Sequence, residues 1–171
     1  MSTVAVSRLV DAPVDRVWAV FTDLASRAEW LSTVDDVQLV TPEPFEAGTV
    51  WRETRTMSDG ERVTEEFHVQ ECDPPRRFVV ASAGIGAEYR MTYTFAPVEV
   101  GRHRGGTAVT VVQDGHPSAP AGRLLAFLLG GLAAAAVEGA FRKDLADLAR
   151  AAATAGPGRG AAAAADAPNR A

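Results

Sequence analysis

Two glutamates and an arginine, Glu53, Glu65 and Arg55, are the candidates for proton transfer in this sequence. Glu65 alternates with Phe67 and Val69 in a strand-like run, and side chains two residues apart in a strand share one face. The apolar members of that face indicate that it is turned inward. Glu65 is therefore carried toward the interior, where a carboxylate is costly unless it is paired or protonated.

The turn at Ser58-Asp59-Gly60 leaves two registers open for the preceding strand. With a two-residue loop, Arg52 and Thr54 face inward and Trp51 faces water. With a three-residue loop and a left-handed Gly60, Glu53 lies opposite Glu65. The inward residues are then Trp51, Glu53 and Arg55. We expect this second arrangement, because burying an indole stabilises the fold by about 1.5–3 kcal/mol.

In the expected register the carboxylates of Glu53 and Glu65 meet across the strands, with Arg55 two residues along on the same face. One carboxylate could hold its proton while the other pairs with the guanidinium, and such a pair can act as general acid and base. The alternative is that both carboxylates are hydrated near the sheet edge and are simply neutralised by Arg55. The sequence leaves both interpretations open.

Aromatic and apolar side chains on the same inward faces predict a binding surface for an apolar molecule. The residues that we expect to line it are Trp51, Phe67, Tyr89, Met91, Tyr93, Glu138 and Phe141. The tyrosine hydroxyls could orient a ligand, since buried hydroxyl groups need partners. Glu138 could point into a cavity or reach solvent at its margin. The simpler alternative is that the aromatic residues only form core.

No motif of the sequence indicates a metal or a cofactor, and we expect neither. His68, His103 and His116 are scattered, without the spacing of a zinc site, and His68 should lie on the outer face of its strand. Cys72 is the single cysteine, so no intrachain disulfide can form. We interpret Cys72 as a small apolar residue at a strand end.

Composition limits the possible partners. The net charge of −5 offers no basic face for phosphates, so we expect no nucleic-acid partner. The uncharged run from Leu124 to Val137 is shorter than the ~20 residues of a bilayer span, so stable membrane insertion is not expected. The N-terminus lacks a signal-peptide pattern, which favours a cytoplasmic protein. For the oligomeric state, we expect either a monomer or a homodimer.

Hydropathy periodicity and turn signals predict an α+β fold in the order β-α-α-β6-α. A first strand around Val4–Val10 is followed by two short helices, and short turns join the later strands as antiparallel neighbours. The six later strands are expected at Asp36–Thr41, Thr49–Met57, Arg62–Glu71, Arg77–Ala83, Glu88–Phe95 and Thr107–Asp114. One curved sheet of about seven strands then needs a cover on its apolar face.

The C-terminal helix provides that cover. Its apolar stripe is expected at Phe127, Ala134, Glu138, Phe141, Leu145 and Ala152. Its polar side is expected at Arg142, Lys143, Asp144, Asp147 and Arg150. A single rod from Pro120 would be about 50 Å long, more than the roughly 40 Å of a compact domain. We therefore predict a break at Gly130-Gly131, with the main helix running from about Leu132 to Ala155.

The order of elements resembles the START-like helix-grip superfamily, which includes polyketide cyclases, the birch-pollen-allergen type and lipid-transfer domains. The matching stretches are Asp11–Leu31, Glu71–Val80, Gly105–Val112 and Phe141–Ala152. The resemblance implies an elongated cavity between the sheet and the long helix, suited to a small hydrophobic or amphipathic molecule. Residues 1–155 would form this domain, and residues 156–171, rich in Ala, Gly and Pro, a disordered tail.

The resemblance leaves three functions open, because the matching motifs serve the scaffold. The first is non-catalytic binding of a lipid- or polyketide-like molecule, favoured by the absence of a recognisable catalytic set. The second is a cyclase or dehydratase that uses Glu53, Glu65 and Arg55 for proton transfer. The third is a co-chaperone-like interaction module.

Deleting residues 156–171 should leave the thermal unfolding midpoint nearly unchanged, because the segment has no periodic apolar residue to bury. Circular dichroism of the full and truncated chains measures this. A drop of more than a few degrees would show that the tail packs on the domain.

Overall fold

A computed structural model of the chain describes residues 2–56, 60–84, 87–117 and 120–155. The described elements follow the expected β-α-α-β6-α order and form a helix-grip fold of the α+β class. They are β1 (Ser2–Val10), α1 (Val14–Thr22), α2 (Arg27–Trp30), β2 (Asp36–Leu39), β3 (Val50–Thr56), β4 (Arg62–Asp73), β5 (Arg77–Gly84), β6 (Ala87–Pro97), β7 (Thr107–Pro117) and α3 (Pro120–Thr154).

The seven strands form one antiparallel sheet in the order β1-β7-β6-β5-β4-β3-β2. Strands β2 to β7 pair in the order of the sequence. β1 pairs with β7 and forms one edge of the sheet, while β2 forms the other. A register shift between Val69 and Glu71 marks a bulge in β4. Bulges bend the strand that carries them, which helps the sheet curve around α3.

β3 pairs with β4 in the register that the burial of Trp51 favours. Trp51 lies opposite Phe67, Glu53 opposite Glu65, and Arg55 opposite Val63. Gly60 has φ of 87°, the left-handed conformation that this register was expected to need. Residues 57–59, which hold the rest of the turn, lie outside the described residues.

The start of β7 depends on a close approach of two backbones. A Cβ atom at Gly106 would lie 2.7 Å from the carbonyl oxygen of Val10, at the end of β1. Any other residue would push β1 and β7 apart here. Thr107 then donates its hydroxyl to the carbonyl of Ala12 at 2.7 Å, which fixes the chain as it leaves β1 for α1.

The predicted break at Gly130-Gly131 is wrong, because α3 is one continuous helix from Pro120 to Thr154. Glycine in a helix interior costs only about 1 kcal/mol relative to alanine, and it keeps the backbone N–H that proline lacks. The surrounding leucines and alanines are strong helix formers, so two glycines do not interrupt the ladder. A helix can therefore extend beyond the diameter of a compact domain without a break.

The core lies between the concave side of the sheet and the C-terminal half of α3. The buried residues of the helix include Phe141, Leu145, Leu148 and Ala152, as the helical spacing indicates. From the sheet, Val69, Phe78 and Val109 meet them in one continuous apolar cluster. Within the described part of the chain, no helix combines the length and apolarity needed to cross a membrane. Residues 156–171 are not among those described.

Leu145→Asp should unfold the domain, since it places a charge on the side of α3 that packs against the sheet, at a cost of several kcal/mol. The control is Ala135→Asp, at an exposed position of the same helix. Urea denaturation followed by tryptophan fluorescence compares them. A folded, monomeric Leu145→Asp variant would contradict the packing of α3 on the sheet.

Candidate functional site

A cavity of about 440 Å³ lies between the concave face of the sheet and α3. Strands β3 to β7 form its floor, and the described residues of α3 that reach it are Val137, Ala140, Phe141 and Asp144. Phe21 of α1 and Arg27 of α2 close one side. The sheet curves, and the helix lies across it without filling the concave space.

Most of the expected binding residues do line this cavity. They are Trp51, Phe67, Tyr89, Met91, Tyr93 and Phe141. Trp51 and Phe67 stack with their ring centroids 5.2 Å apart, so they form one aromatic pair in the floor of the cavity. The candidate polar residues Glu53, Arg55 and Glu65 line it as well. These positions follow from strand alternation once the register of β3 is set.

Glu138 does not reach the cavity. Its carboxylate pairs with Arg142, one turn along α3, and both side chains are substantially exposed. The inner side of the helix is centred on Val137, Phe141 and Leu148, so Glu138 is rotated toward solvent. Of the predicted stripe, Phe141, Leu145 and Ala152 are buried as expected, whereas Glu138 lies at its exposed margin.

Glu53 is the most deeply buried charged group of the site, with a side chain only 1% exposed. The Nε of Arg27 donates to its Oε1 at 2.5 Å, and the indole Nε1 of Trp51 donates to the same oxygen at 2.9 Å. The Nη2 of Arg55 donates to Oε2 at 2.8 Å. Both carboxylate oxygens of Glu53 are thus engaged by charged or polar donors.

These donors decide the protonation state of Glu53. Burial by itself raises the pKa of its carboxyl, but Arg27, Arg55 and the Trp51 indole outweigh that effect and hold the pKa below its usual value. Glu53 lies opposite Glu65 as expected, yet its own titration is not pushed upward. In this pair Glu53 is the carboxylate bound to guanidinium and is a poor proton donor.

Arg55 links Glu53 to the helix. Its Nη1 donates to Thr33 Oγ1 at 2.8 Å and lies 3.5 Å from Asp144 Oδ2 on α3. Thr33 in turn donates to Asp144 Oδ1 at 2.6 Å. Burial alone would lower the pKa of Arg55, but Glu53 and Asp144 raise it, so the guanidinium stays charged. The network joins β3, the segment after α2, and α3.

A second contact fastens the same segment to α3. Asp147, whose side chain is almost fully buried, accepts hydrogen bonds from the backbone N–H and the hydroxyl of Ser32. Burial raises the pKa of Asp147, but the Ser32 donors, Arg150 and Lys143 lower it below its usual value. Asp144 and Asp147 therefore belong to the inner side of α3, and their assignment to the polar side was wrong.

Glu65 differs from Glu53 in its partners. Its Oε1 accepts a hydrogen bond from the hydroxyl of Ser82 on the neighbouring strand. No lysine or arginine within the described ranges lies within ion-pair distance of it, although it lines the cavity. Glu65 is thus a half-buried carboxylate without a counter-charge from the described part of the protein.

Tyr93 presents its hydroxyl in the same space. The side chain is 8% exposed, and burial raises the pKa of the phenol above its usual value, so it stays protonated at neutral pH. Among the described residues, no hydrogen-bond partner reaches this hydroxyl. Tyr93 is therefore a neutral donor available to a molecule in the cavity.

The remaining candidates lie outside the cavity. His68, His103 and His116 are exposed, and His68 is on the outer face as expected. Burial raises the pKa of the Cys72 thiol, which therefore does not favour the reactive thiolate. The described residues hold no group of three or more His, Cys, Asp or Glu side chains that could bind a metal ion.

Arg27 lines the cavity, although the sequence did not single it out. The structure buries it beneath Phe21 and Trp30, with its guanidinium carbon 4.8 and 5.5 Å from their ring centroids. A signal was present, because Leu24, Arg27 and Leu31 follow helical spacing and all three are buried. An arginine between two leucines on that stripe needs a buried acid.

The curved sheet, the covering helix and the cavity define a helix-grip protein. Its family is shown by sequence: the chain belongs to the polyketide cyclase / dehydrase and lipid transport family, whose model matches residues 1–153. Membership supports a role in binding or cyclising a hydrophobic molecule. A comparison with curated proteins finds no match.

Solved structures share the fold at low sequence identity. TTHA0849 from Thermus thermophilus is 22% identical, with a TM-score of 0.71 over 90% of this chain and 99% of that one. The di-domain ARO/CYC BexL from the BE-7585A biosynthetic pathway is 24% identical, with a TM-score of 0.58 over 88% of this chain and 47% of BexL. Ara h 8.0201 is 12% identical, with a TM-score of 0.61 over 85% and 96% of the two chains.

Glu53→Gln should destabilise the protein by about 3–5 kcal/mol at neutral pH, since the buried guanidinium of Arg27 loses its counter-charge and that of Arg55 loses one of two. Urea denaturation gives the free energy of unfolding. Glu66→Gln is the control, because Glu66 pairs with Arg52 on the exposed face and should cost less than about 1 kcal/mol.

The stability that Glu53 contributes to the folded protein should depend on pH. The folded pKa of Glu53 lies below its ordinary value of 4.5, so the stability it contributes is complete above that value. It is lost as the pH falls through the folded pKa, and the difference between wild type and Glu53→Gln should shrink there. A difference that grows on acidification would contradict an ionised Glu53.

Proposed function

We propose that this protein binds one small hydrophobic or amphipathic molecule in the cavity between the sheet and α3. The cavity itself is the observation that carries this proposal. Its volume of about 440 Å³ falls within the ~300–1,000 Å³ of small-molecule sites. Cores normally pack without voids much larger than a water molecule, so a space of this size needs an occupant.

The residues that line the cavity suit the apolar part of a ligand. Trp51 and Phe67 form the stacked floor, while Met91 and Phe141 contribute flexible and aromatic surface from the sheet and from α3. Apolar area removed from water contributes about 25 cal/mol per Å², so a ring system lying on these residues would bind chiefly through burial. The polar groups lie at defined points of the wall and would orient the molecule.

Catalysis of a cyclase or dehydratase type is the second candidate, and Glu65 is the residue that favours it. A carboxylate without a cationic partner among the described residues, in a cavity that also holds the neutral phenol of Tyr93, supplies a base and a proton donor. Glu53 is excluded from such a role by its guanidinium partners. The fold likeness to the di-domain ARO/CYC BexL adds to this candidate.

Native mass spectrometry of the protein as purified tests the binding proposal directly. We expect an added mass that is lost on denaturation and that extracts into an organic solvent. Incubation with a linear β-polyketone, followed by liquid chromatography and mass spectrometry, tests catalysis. A cyclised or dehydrated product that disappears with Glu65→Gln would favour the enzyme, and an unchanged polyketone would favour binding alone.

Ala140→Trp should reduce binding of the neutral probe Nile red by at least about tenfold, because the indole occupies the cavity beside Phe141. Ala135→Trp adds the same side chain at an exposed position of α3 outside the cavity and should bind as the wild type does. Fluorescence titration measures both affinities. Equal loss in the two variants, or no loss in either, would place the probe elsewhere.

A further inference from the structure

The charged groups that line the cavity do not balance. Two guanidinium groups, those of Arg27 and Arg55, face three carboxylates. The carboxylates belong to Glu53, Glu65 and Asp144. The formal charge of the described wall is therefore −1, which favours a cationic group over an anionic one in the cavity.

Both arginines already have anionic partners. Arg27 is bound to Glu53 at 2.5 Å, and Arg55 bridges Glu53 at 2.8 Å and Asp144 at 3.5 Å. A ligand carboxylate or phosphate would have to displace one of these contacts and leave a buried acid unpaired. The cavity is thus poorly suited to fatty acids and other anionic amphiphiles, despite holding two arginines.

Glu65 carries the unbalanced charge. Its only described hydrogen-bond donor is the neutral hydroxyl of Ser82, so the carboxylate retains capacity for further donors. Phe67 lies two residues along on the same face of β4, and Tyr89 pairs with Ser82 across β5 and β6. Aromatic faces beside a carboxylate are a favourable environment for a cation.

The unpartnered hydroxyl of Tyr93 is an independent sign that the wall is built for a molecule with polar groups. The ring of Tyr93 is buried and the residue lines the cavity, whereas its hydroxyl is not among the buried polar atoms that lack a partner and is therefore open to the cavity. A hydroxyl open to the cavity can donate a hydrogen bond to an acceptor oxygen on a ligand. The aromatic side chains that lie between these polar groups favour an apolar ring system in the ligand.

We propose that the ligand is an amphipathic cation: an amine on a hydrophobic ring system, with its ammonium group on the carboxylate of Glu65. This inference rests on the proposed function and adds the chemical class of the molecule. The apolar body lies on Trp51 and Phe67, and the ammonium supplies the charge that the wall lacks. A charge-assisted hydrogen bond of this kind changes affinity by at least about tenfold.

Three probes that share one ring system test this preference. They are 2-naphthylmethylamine, 2-naphthylmethanol and 2-naphthoate, which at neutral pH are a cation, a neutral alcohol and an anion. Isothermal titration calorimetry with the full chain should show the amine binding at least about tenfold more tightly than the alcohol, and the anion most weakly. If the alcohol binds as tightly as the amine, this inference is wrong and the binding proposal stands. If none of the three binds, the binding proposal itself fails.

Matched variants assign the preference to one residue. Glu65→Gln should remove the advantage of the amine over the alcohol, because the amide keeps the shape and removes the charge. Glu66→Gln removes the same charge from the outer face, where Glu66 pairs with Arg52, and should keep the preference. A preference that survives Glu65→Gln, or one that Glu66→Gln abolishes equally, overturns the assignment to Glu65.

Discussion

The buried ion pair between Arg27 and Glu53 is the interaction on which the rest of the site depends. A carboxylate that is 1% exposed is tolerated only with strong donors, and Glu53 obtains them from α2 and from Trp51 and Arg55 of its own strand. The pair therefore fixes how α2 sits against β3. Through Arg55 and Thr33 the same network reaches Asp144, so the position of α3 over the sheet is coupled to it as well.

Strand alternation predicted most of the sheet side of the site. It identified the inward faces of β3, β4 and β6, and the burial of Trp51 selected the register that brings Glu53 opposite Glu65. Alternation states which way a side chain faces, but it does not state what a distant element brings to meet it. Arg27 and Asp144 come from helices far away in sequence, so the partners of Glu53 and Arg55 could not be read from the strands.

The two errors on α3 have different physical origins. The expected break assumed that a helix should not exceed the diameter of its domain, but helix continuity depends on local propensity and hydrogen bonding, which two glycines reduce only slightly. The orientation errors have another origin: helical spacing alone placed Glu138 inward, and polarity alone placed Asp144 and Asp147 outward. Asp147 faces inward since Ser32 supplies two donors there, while Glu138 faces outward beside Arg142.

The pairing of β1 with β7 has a consequence for the order in which the protein can form during synthesis. Ser2 lies opposite Gly115, so the first strand waits for more than a hundred residues before its partner leaves the ribosome. Such distant pairing is slow to form, because the chain between the partners must be ordered first. The helix that covers the cavity is translated later still, after the last strand. The nascent chain therefore exposes the aromatic residues of the cavity until α3 has been translated, and a ligand can be enclosed only after that helix has formed.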